Sequence, residues 1–443
     1  MRFYIRTFGC QMNVYDSELV RDILLRAGFE EVDNPEEADI VFSNTCSVRQ
    51  KAEERGVKFL RDLKKRGKIT VMLGCVAQQH KRDTAIPGVD LAFGTRSYQL
   101  LPQIILNYIR GIEPEKRIFA EDYGLLELTD TPLKRKARSI SELINIMQGC
   151  NNFCSYCIVP FTRGREISRP AEHILQEAKN LEKQGVVEIT LLGQNVNSYF
   201  DGKFQFYQLL EYLDKNTNFL RIRFTTSHPR DITYNVLRVI ADSKSVTDWI
   251  HLPLQAGSTR VLKLMRRGYT KEEYIEIAKM IRKVLPESTI TTDIMVGFPG
   301  EEEKDFEETL EVVRTVEFDH AFTFIYSPRP GTAAAQMKDS VPPETKGKWL
   351  RILIEEVNRV ARIRREKMIG KFYEFLVEGE SRKDSNLSAG RNRGFIKAVI
   401  TEHFPPGTLL IGKVVDVRGL APIVKPIRVL ERFELREDVP AIK

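Results

Sequence analysis

Three cysteines in the run QGCNNFCSYC, Gln148 to Cys157, restrict the fold of this chain more strongly than any other feature. Cys150, Cys154 and Cys157 have the spacing C-x3-C-x2-C, which is typical of metal ligands. A cubane iron–sulfur cluster takes four thiolates, one for each iron, so a cluster on this run keeps one iron open to a small molecule. Zinc would need a fourth His or Cys, and the next histidine, His173, falls in a helical pattern. The run favours a three-cysteine cluster, with zinc as the alternative.

The other three cysteines each follow a predicted strand near the start of the chain. Four short apolar runs alternate there with amphipathic stretches: residues 2–8, 39–45, 69–73 and 89–94. This order predicts a doubly wound parallel sheet. Cys10, Cys46 and Cys75 come just after the first three strands, and loops at the strand ends of such a sheet share one edge, where ligands bind. The three thiols can therefore converge there; the alternative is three inert cysteines, since free Cys is often buried.

A second alternation of strands and helices begins near Ile144. Six apolar runs are each followed by a helical pattern: residues 143–148, 187–193, 220–226, 249–254, 289–297 and 320–327. Six βα units predict an open, partial version of the β/α barrel, whose working loops follow the strands. Those loops read GCNNFCSYC, GQNVNSY, SHPRD, LQAGS, GFPGE and SPRPGT. We expect them to face one shared cavity.

Composition limits the setting in which the protein works. The 443 residues, 42% hydrophobic and 29% charged, predict a globular chain of about three domains. Because no signal-peptide pattern occurs and no apolar run approaches the ~20 residues that cross a bilayer, we expect a cytoplasmic protein that does not enter a membrane. Six cysteines are too few for a disulfide scaffold, so metal binding or chemistry is the better explanation for them.

The C-terminal hundred residues carry the entire net charge of +7. A basic helix is predicted from Glu344 to Ile369, ending at Gly370, a common helix stop. The β-type runs that follow are broken by Gly and Pro and predict a small antiparallel barrel, a fold that often binds nucleic acid. The basic excess indicates either a polyanion-binding end or a solvated charged helix.

The C-x3-C-x2-C loop after the first strand of a partial barrel resembles the signature of the radical S-adenosylmethionine enzymes. The resemblance implies a 4Fe–4S cluster on Cys150, Cys154 and Cys157, whose open iron binds S-adenosylmethionine and whose electron splits it to a 5′-deoxyadenosyl radical. The protein then supplies binding and orientation. Residues at the predicted strand ends match cofactor-binding positions of the superfamily: Tyr156, Gly193, Gln194, Asn195, Ser227, Gln255 and Gly297. The acid usual in the second loop is absent, so Gln194 and Asn195 would replace it.

The order of a cysteine domain, a radical barrel and a small β domain resembles the methylthiotransferases of that superfamily over almost the whole chain. The resemblance implies a second 4Fe–4S cluster on Cys10, Cys46 and Cys75, which holds sulfur for insertion into a C–H bond. The sequence FGCQMN, followed by DSE, is similar to the branch that methylthiolates carbon 2 of N6-isopentenyladenosine at position 37 of tRNA, beside the anticodon. The implied partners are a tRNA anticodon stem-loop and an electron donor such as flavodoxin or ferredoxin.

Three alternatives stay open at this point. Two are the sister branches, which act on threonylcarbamoyladenosine in tRNA or on a ribosomal-protein aspartate. The third is a two-cluster electron carrier or RNA-binding iron–sulfur protein without radical activity. The loops GQN, SHP and GFPGE argue against a carrier, because a carrier needs no cofactor cavity.

The C-terminal β region resembles the TRAM module, an RNA-binding barrel, by its position and β pattern. Candidate phosphate contacts crowd one loop and the following strand: Arg382, Lys383, Arg391, Arg393 and Lys397. A solvated hairpin is the alternative for these residues. The predicted fold class is α/β, with four segments: an N-terminal doubly wound domain (1–116), a linker (117–138), a partial (β/α)6 radical domain with its trailing basic helix (139–369) and a TRAM-like antiparallel barrel (370–437).

Overall fold

A computed structural model describes residues 1–48, 50–80, 86–112, 117–118 and 135–436. They form an N-terminal parallel sheet, six central parallel strands and a C-terminal closed barrel. The predicted α/β class and three-part architecture are confirmed. No helix in these ranges is long and apolar enough to span a membrane.

The N-terminal unit is a six-stranded sheet with its helices. Its strands are β1 (Arg2–Phe8), β2 (Glu30–Glu31), β3 (Ile40–Thr45), β4 (Ile69–Leu73), β5 (Leu91–Phe93) and β6 (Arg117–Ile118). Its helices are α1 (Gln11–Arg26), α2 (Gln50–Lys64), α3 (Cys75–Gln79) and α4 (Leu101–Ile109). All pairings are parallel in the order β2-β1-β3-β4-β5-β6. Because β1, β3 and β4 are neighbours, the loops after them lie side by side.

The central region is an open barrel. Its strands are β7 (Ser141–Asn145), β8 (Met147–Gln148), β9 (Ile167–Ser168), β10 (Glu188–Leu192), β11 (Arg221–Phe224), β12 (Trp249–His251), β13 (Thr289–Val296) and β14 (His320–Ile325). Its helices are α5 (Val159–Thr162), α6 (Ala171–Lys183), α7 (Phe206–Asn216), α8 (Tyr234–Asp242), α9 (Thr259–Leu264), α10 (Lys271–Val284), α11 (Glu303–Val316) and the long basic α12 (Pro343–Glu366).

Two parallel sheets, β7-β10-β11 and β12-β13-β14, follow one another around this open barrel. A bridge between Ile222 and Val246 links them. The first predicted strand, 143–148, is split in the structure. Its second half, β8, leaves the barrel and pairs antiparallel with β9.

The C-terminal barrel closes in the order β15-β16-β17-β19-β18. Its strands are β15 (Phe372–Ser381), β16 (Asp384–Asn392), β17 (Lys397–Ile400), β18 (Thr408–Arg418) and β19 (Ala421–Arg432). The expectation of a purely antiparallel barrel is wrong at one pairing, because β17 and β19 are parallel. Strand β16 was not predicted, since DSNLSAGRN lacks alternating apolar residues; its pairing with β15 and β17 imposes the strand.

The loop between β16 and β17 inserts against the amino ends of the central strands. The ring of Phe395 stacks on Trp249 with centroids 4.2 Å apart, and the Arg223 guanidinium lies 4.9 Å from the same ring. Arg223 is fully buried and donates to the carbonyls of Asn392 and Arg393. A buried cation is costly unless it is paired and hydrogen-bonded. The C-terminal barrel therefore completes the floor of the central barrel.

We expect Phe395→Ala to lower the free energy of unfolding by about 2 kcal/mol, because it removes a stacked ring and leaves a gap in the floor. Urea unfolding followed by circular dichroism measures the change. Phe200→Ala is the matched control, since Phe200 is 57% exposed. An equal loss in both variants would show that the Phe395 ring does not hold the two barrels together.

The N-terminal unit contacts both edges of the open barrel. On one side Met12 and Tyr15 of α1 pack with Leu192 at the end of β10 and with Leu143 of the edge strand β7. On the other side Arg329, in the segment after β14, donates to the carbonyl of Val48 at 2.8 Å. The unit thus spans from the first strands of the barrel to the last, on the side where the cysteine loop emerges.

Most of the predicted linker, 117–138, lies outside the described residues. Its two ends belong to packed structure. Residues 117–118 form β6, and Arg135 is buried in ion pairs with Glu142 and Glu177. The four segment boundaries stay predictions.

Candidate active site at the facing cysteine loops

The three N-terminal cysteines converge at one edge of the parallel sheet. Cys10 precedes α1, Cys46 directly follows β3, and Cys75 is the first residue of α3 after β4. The loops of Cys10 and Cys46 are in contact, because the amide of Cys46 donates to the carbonyl of Phe8 at 2.9 Å and Gly9 packs against Cys46. Each of the three thiols also influences the pKa of another member of the trio. The convergence expected from the strand order is therefore present, while the role of the cysteines as ligands stays a prediction.

Glycines before two of these cysteines allow the loops to pack tightly. A Cβ on Gly9 would lie 2.7 Å from the Cβ of Cys46. Gly74 has a φ of +85°, and a Cβ there would lie 2.4 Å from Oδ1 of Asn44. Such positions accept only glycine without strain. The sequences FGC and LGC therefore bring the thiols close together.

The thiols of this trio differ in acidity. The neighbouring Cys46 thiol lowers the pKa of Cys10 to about 6, whereas the Cys10 thiol together with burial raises the pKa of Cys46. Burial also raises the pKa of Cys75. The lowered pKa of Cys10 favours its thiolate, which is the form that binds metal.

The second trio lies in the loop between β8 and α5. Cys150 and Cys154 are buried and Cys157 is half-buried. Burial raises the pKa of Cys150 and raises the pKa of Cys157 to about 12. Nη1 of Arg267 donates to Sγ of Cys154 at 3.3 Å. Arg267, a buried cation against a sulfur of this trio, was not predicted from the sequence.

The donor sets fit clusters better than single metal ions. No three His, Cys, Asp or Glu side chains within the described ranges are close enough to hold one metal ion. The zinc alternative, which requires about four ligands around one ion, has no support there. Thiolates of a cubane bind different irons and need not converge on one point. Each trio offers three sulfurs, which suits a cluster with one open iron.

The two trios adjoin across the interface between the N-terminal unit and the central barrel. The amide of Cys150 donates to the carbonyl of Gly164 at 3.2 Å. The neighbouring residue, Arg163, extends to the other trio, where its Nη2 lies 2.7 Å from Oδ2 of Asp16 and its guanidinium interacts with the Cys75 thiol. Helix α5 packs on α3 beside this contact. One loop therefore contacts both cysteine sets.

The predicted cofactor residues Gly193 and Gln194 hold the loop after β10 against the cysteine run. A Cβ on Gly193 would lie 2.6 Å from Cγ of Met147. Oε1 of Gln194 accepts a hydrogen bond from the amide of Gly149, directly before Cys150. Both residues thus position the loop of the second trio.

Asn195 and Ser227 lie at the ends of neighbouring strands. The Asn195 amide is occupied at both ends, accepting from the amide of His228 at 3.0 Å and donating to Asp231 at 2.6 Å. Oγ of Ser227 and Nε2 of His228 are buried and have no hydrogen-bond partner in the part of the chain that the structure describes. Burial, with Arg267 nearby, lowers the pKa of His228 to about 2, so its ring is neutral. Buried polar atoms without a protein partner are rare and suit a polar ligand, and His228 was not singled out from the sequence.

Three other predicted cofactor residues differ in their surroundings. Tyr156 is half-buried beside Arg267. Gln255 has a φ of +71° and forms a main-chain bridge with β13. Gly297 has a φ of +74°, and a Cβ there would lie 2.4 Å from Cγ of Lys346 in α12. The absence of a side chain at Gly297 therefore allows α12 to pack closely, which is a structural role separate from ligand binding.

Three of the five predicted RNA contacts are exposed. Arg382 and Lys383 form the turn between β15 and β16, and Lys397 begins β17. These three side chains present positive charge to solvent on the C-terminal barrel.

The other two predicted RNA contacts are engaged within the protein. Arg391 pairs with Glu378 and lies 4.4 Å from the Phe395 ring centroid. Arg393 donates to the carbonyls of Lys244 and Val246, each at 2.6 Å. Arg393 thus holds the C-terminal barrel to the central one, whereas the Arg391 side chain is engaged within the C-terminal barrel; no local sequence pattern indicates either role.

Two family models match parts of the chain. Residues 144–313 match the Radical SAM superfamily, and residues 2–94 match the Uncharacterized protein family UPF0004. The first range begins in β7 and covers the second cysteine trio. The second range covers the first trio.

Curated relatives match along nearly the whole chain. A tRNA-2-methylthio-N(6)-dimethylallyladenosine synthase of Carboxydothermus hydrogenoformans is 44% identical over 94% of this chain and 96% of its own. A protein of the same name from Pelotomaculum thermopropionicum is 44% identical over 94% of both chains. Among solved structures, a radical S-adenosylmethionine methyltransferase from Kitasatospora setae matches with a TM-score of 0.58 at 12% identity over 75% of each chain, which supports the fold alone.

Proposed function

The chain belongs to the family of tRNA-2-methylthio-N6-dimethylallyladenosine synthases, and we infer from this how its residues divide the reaction. The protein is a radical S-adenosylmethionine enzyme that adds a methylthio group to carbon 2 of N6-isopentenyladenosine at position 37 of tRNA. It uses S-adenosylmethionine and 4Fe–4S clusters. The observation that supports the division of roles is that the Radical SAM match, residues 144–313, contains the second trio, whereas the first trio lies in the separate match over residues 2–94.

We assign Cys150, Cys154 and Cys157 to the cluster that takes S-adenosylmethionine, and Cys10, Cys46 and Cys75 to the cluster that takes sulfur. When bound, the first supplies the radical that removes a hydrogen atom and the second supplies the sulfur. The protein holds the two trios close together, because the carbon radical has to react with sulfur before it reacts with any other group. The N-terminal unit packs on the loop of the second trio through helices α3 and α5.

Polar residues at the strand ends orient the cofactor in this proposal. Ser227 and His228 offer two buried polar atoms to a ligand, and Tyr156 offers an aromatic face beside the second trio. Gln194 acts through the cysteine loop that it holds. Asn195 positions the loop after β11. Gln255, which follows β12, and Gly297, which follows β13, are the remaining proposed cofactor positions.

Mass spectrometry of tRNA nucleosides from cells with and without this gene tests the function. The 2-methylthio derivative of isopentenyladenosine should be present only with the gene, and its precursor should accumulate without it. Loss of a threonylcarbamoyl derivative, or of a modified ribosomal aspartate, would instead favour a sister branch. A flavodoxin or ferredoxin is the proposed electron donor, and a tRNA substrate favours a cytoplasmic location.

We propose that the C-terminal barrel binds tRNA phosphates as a TRAM-like module through Arg382, Lys383 and Lys397. Replacing these three residues by Gln should weaken tRNA binding and lower the slope of log affinity against log salt by ~0.7–0.9 for each phosphate that is no longer neutralised. Filter binding between low and moderate salt measures the slope. Replacing Lys203, Lys215 and Lys279, three exposed lysines of the central barrel, by Gln is the charge-matched control. An unchanged slope would contradict the assignment and make the basic helix α12 the next candidate for the RNA site.

A further inference from the structure

Arg163 is a central-barrel residue that is buried inside the N-terminal cysteine site. Its side chain is 3% exposed and that of its partner Asp16 is 7% exposed. The backbone around it is fastened to the N-terminal unit: Thr95 donates to the carbonyl of Thr162 at 2.9 Å, and Arg96 donates to the carbonyl of Arg163. The position of the guanidinium is therefore determined by the docking of the two units.

Only some of the hydrogen-bond donors of this guanidinium have a partner. Nη2 pairs with Asp16 at 2.7 Å, while Nη1 is buried and has no hydrogen-bond partner among residues 1–48, 50–80, 86–112, 117–118 and 135–436. Buried donors are nearly always hydrogen-bonded, so an unpartnered one beside a ligand site indicates a group that binds there. The adjacent groups are the sulfurs of Cys75 and Cys10, toward which Arg163 acts as a positive charge.

We propose that Arg163 is the positioning residue through which the central barrel sets the charge at the N-terminal cluster, with Asp16 as its counter-charge. The inference rests on the assignment of a cluster to Cys10, Cys46 and Cys75. A fixed cation beside the cluster stabilises its more negative, reduced form and raises its reduction potential. Asp16 opposes this effect, because it neutralises part of the cation. The reduction potential of the N-terminal cluster therefore depends on the docking of the two units.

The test uses the variant with Cys150, Cys154 and Cys157 replaced by Ala, so that only the N-terminal cluster is present. Its reduction is followed by electron paramagnetic resonance at controlled potential. Adding Arg163→Gln should lower the ratio of reduced to oxidised cluster at a fixed potential by at least about tenfold, equivalent to about 59 mV for one electron. Asp16→Asn should shift the ratio in the opposite direction. Arg163→Lys, which keeps the positive charge, should give a ratio close to that of the parent triple variant.

Arg223→Gln in the same background is the control, because Arg223 is a buried arginine paired with Glu188 at the opposite end of the barrel. If the Arg163→Gln protein does not retain its iron, the Asp16→Asn protein provides the test. A raised ratio of reduced to oxidised cluster in that protein supports the proposal, and an unchanged or lowered ratio overturns it. Equal shifts in the Arg163 and Arg223 variants also overturn it. Absence of iron in the parent triple variant would instead refute the cluster assignment itself.

Discussion

Replacing Cys150, Cys154 and Cys157 by alanine should leave about four irons per chain and abolish the conversion of S-adenosylmethionine to 5′-deoxyadenosine. Replacing Cys10, Cys46 and Cys75 should also leave about four irons, with cofactor cleavage retained and methylthiolation lost. Both expectations follow from one cubane on each trio. The structure supports separate loss, because the trios belong to different units, each with its own hydrophobic core.

The measurements are iron content after anaerobic reconstitution and chromatography of 5′-deoxyadenosine. The unaltered chain, loaded to about eight irons, is the reference, since the two variants between them replace all six of its cysteines. A triple variant that kept about eight irons would refute the assignment. Loss of all iron in the variant lacking Cys150, Cys154 and Cys157 would refute the assignment of a cluster to Cys10, Cys46 and Cys75.

Anticodon stem-loops carrying isopentenyladenosine should be methylthiolated at least about ten times more efficiently than stem-loops carrying adenosine. The base has to leave its stack to reach the space between the trios, as is usual for enzymes that act on bases. The isopentenyl group then offers apolar binding worth ~2–3 kcal/mol if several of its carbons are buried at ~0.8 kcal/mol each. A polar threonylcarbamoyl group buried in place of the isopentenyl group would lose solvation, so no reaction with it is expected.

The comparison uses three stem-loops of one sequence, which differ only in the modification at position 37. Product is measured as the 2-methylthio nucleoside under single-turnover conditions, so that product release does not limit the rate. The variant lacking Cys10, Cys46 and Cys75 is the control for non-enzymatic background. Equal rates on the two modified RNAs would contradict the proposed basis of selectivity without affecting the radical chemistry.

Much of the fold could be predicted because the signals are local. Alternating apolar runs correspond to β1, β3, β4, β5 and all six barrel strands, and the strand-end rule predicted that Cys10, Cys46 and Cys75 meet. Strand β16 was missed because its residues carry no apolar alternation and depend on two neighbouring strands. The parallel pairing of β17 with β19 was missed because it depends on the route of the chain around the barrel.

The candidate ligands could be identified from the residues alone, since six cysteines in two sets of three follow predicted strands and one set has a spacing that suits a cluster. The charges beside the sulfurs could not be identified in this way. Arg163 meets Asp16 across 147 positions of the chain, and Arg267 meets Cys154 across 113. Such contacts arise from the docking of whole units, which leaves no periodic signal in the sequence. For the same reason Arg393, which the sequence presents as a free cation near a basic strand, is held by carbonyls of the central barrel.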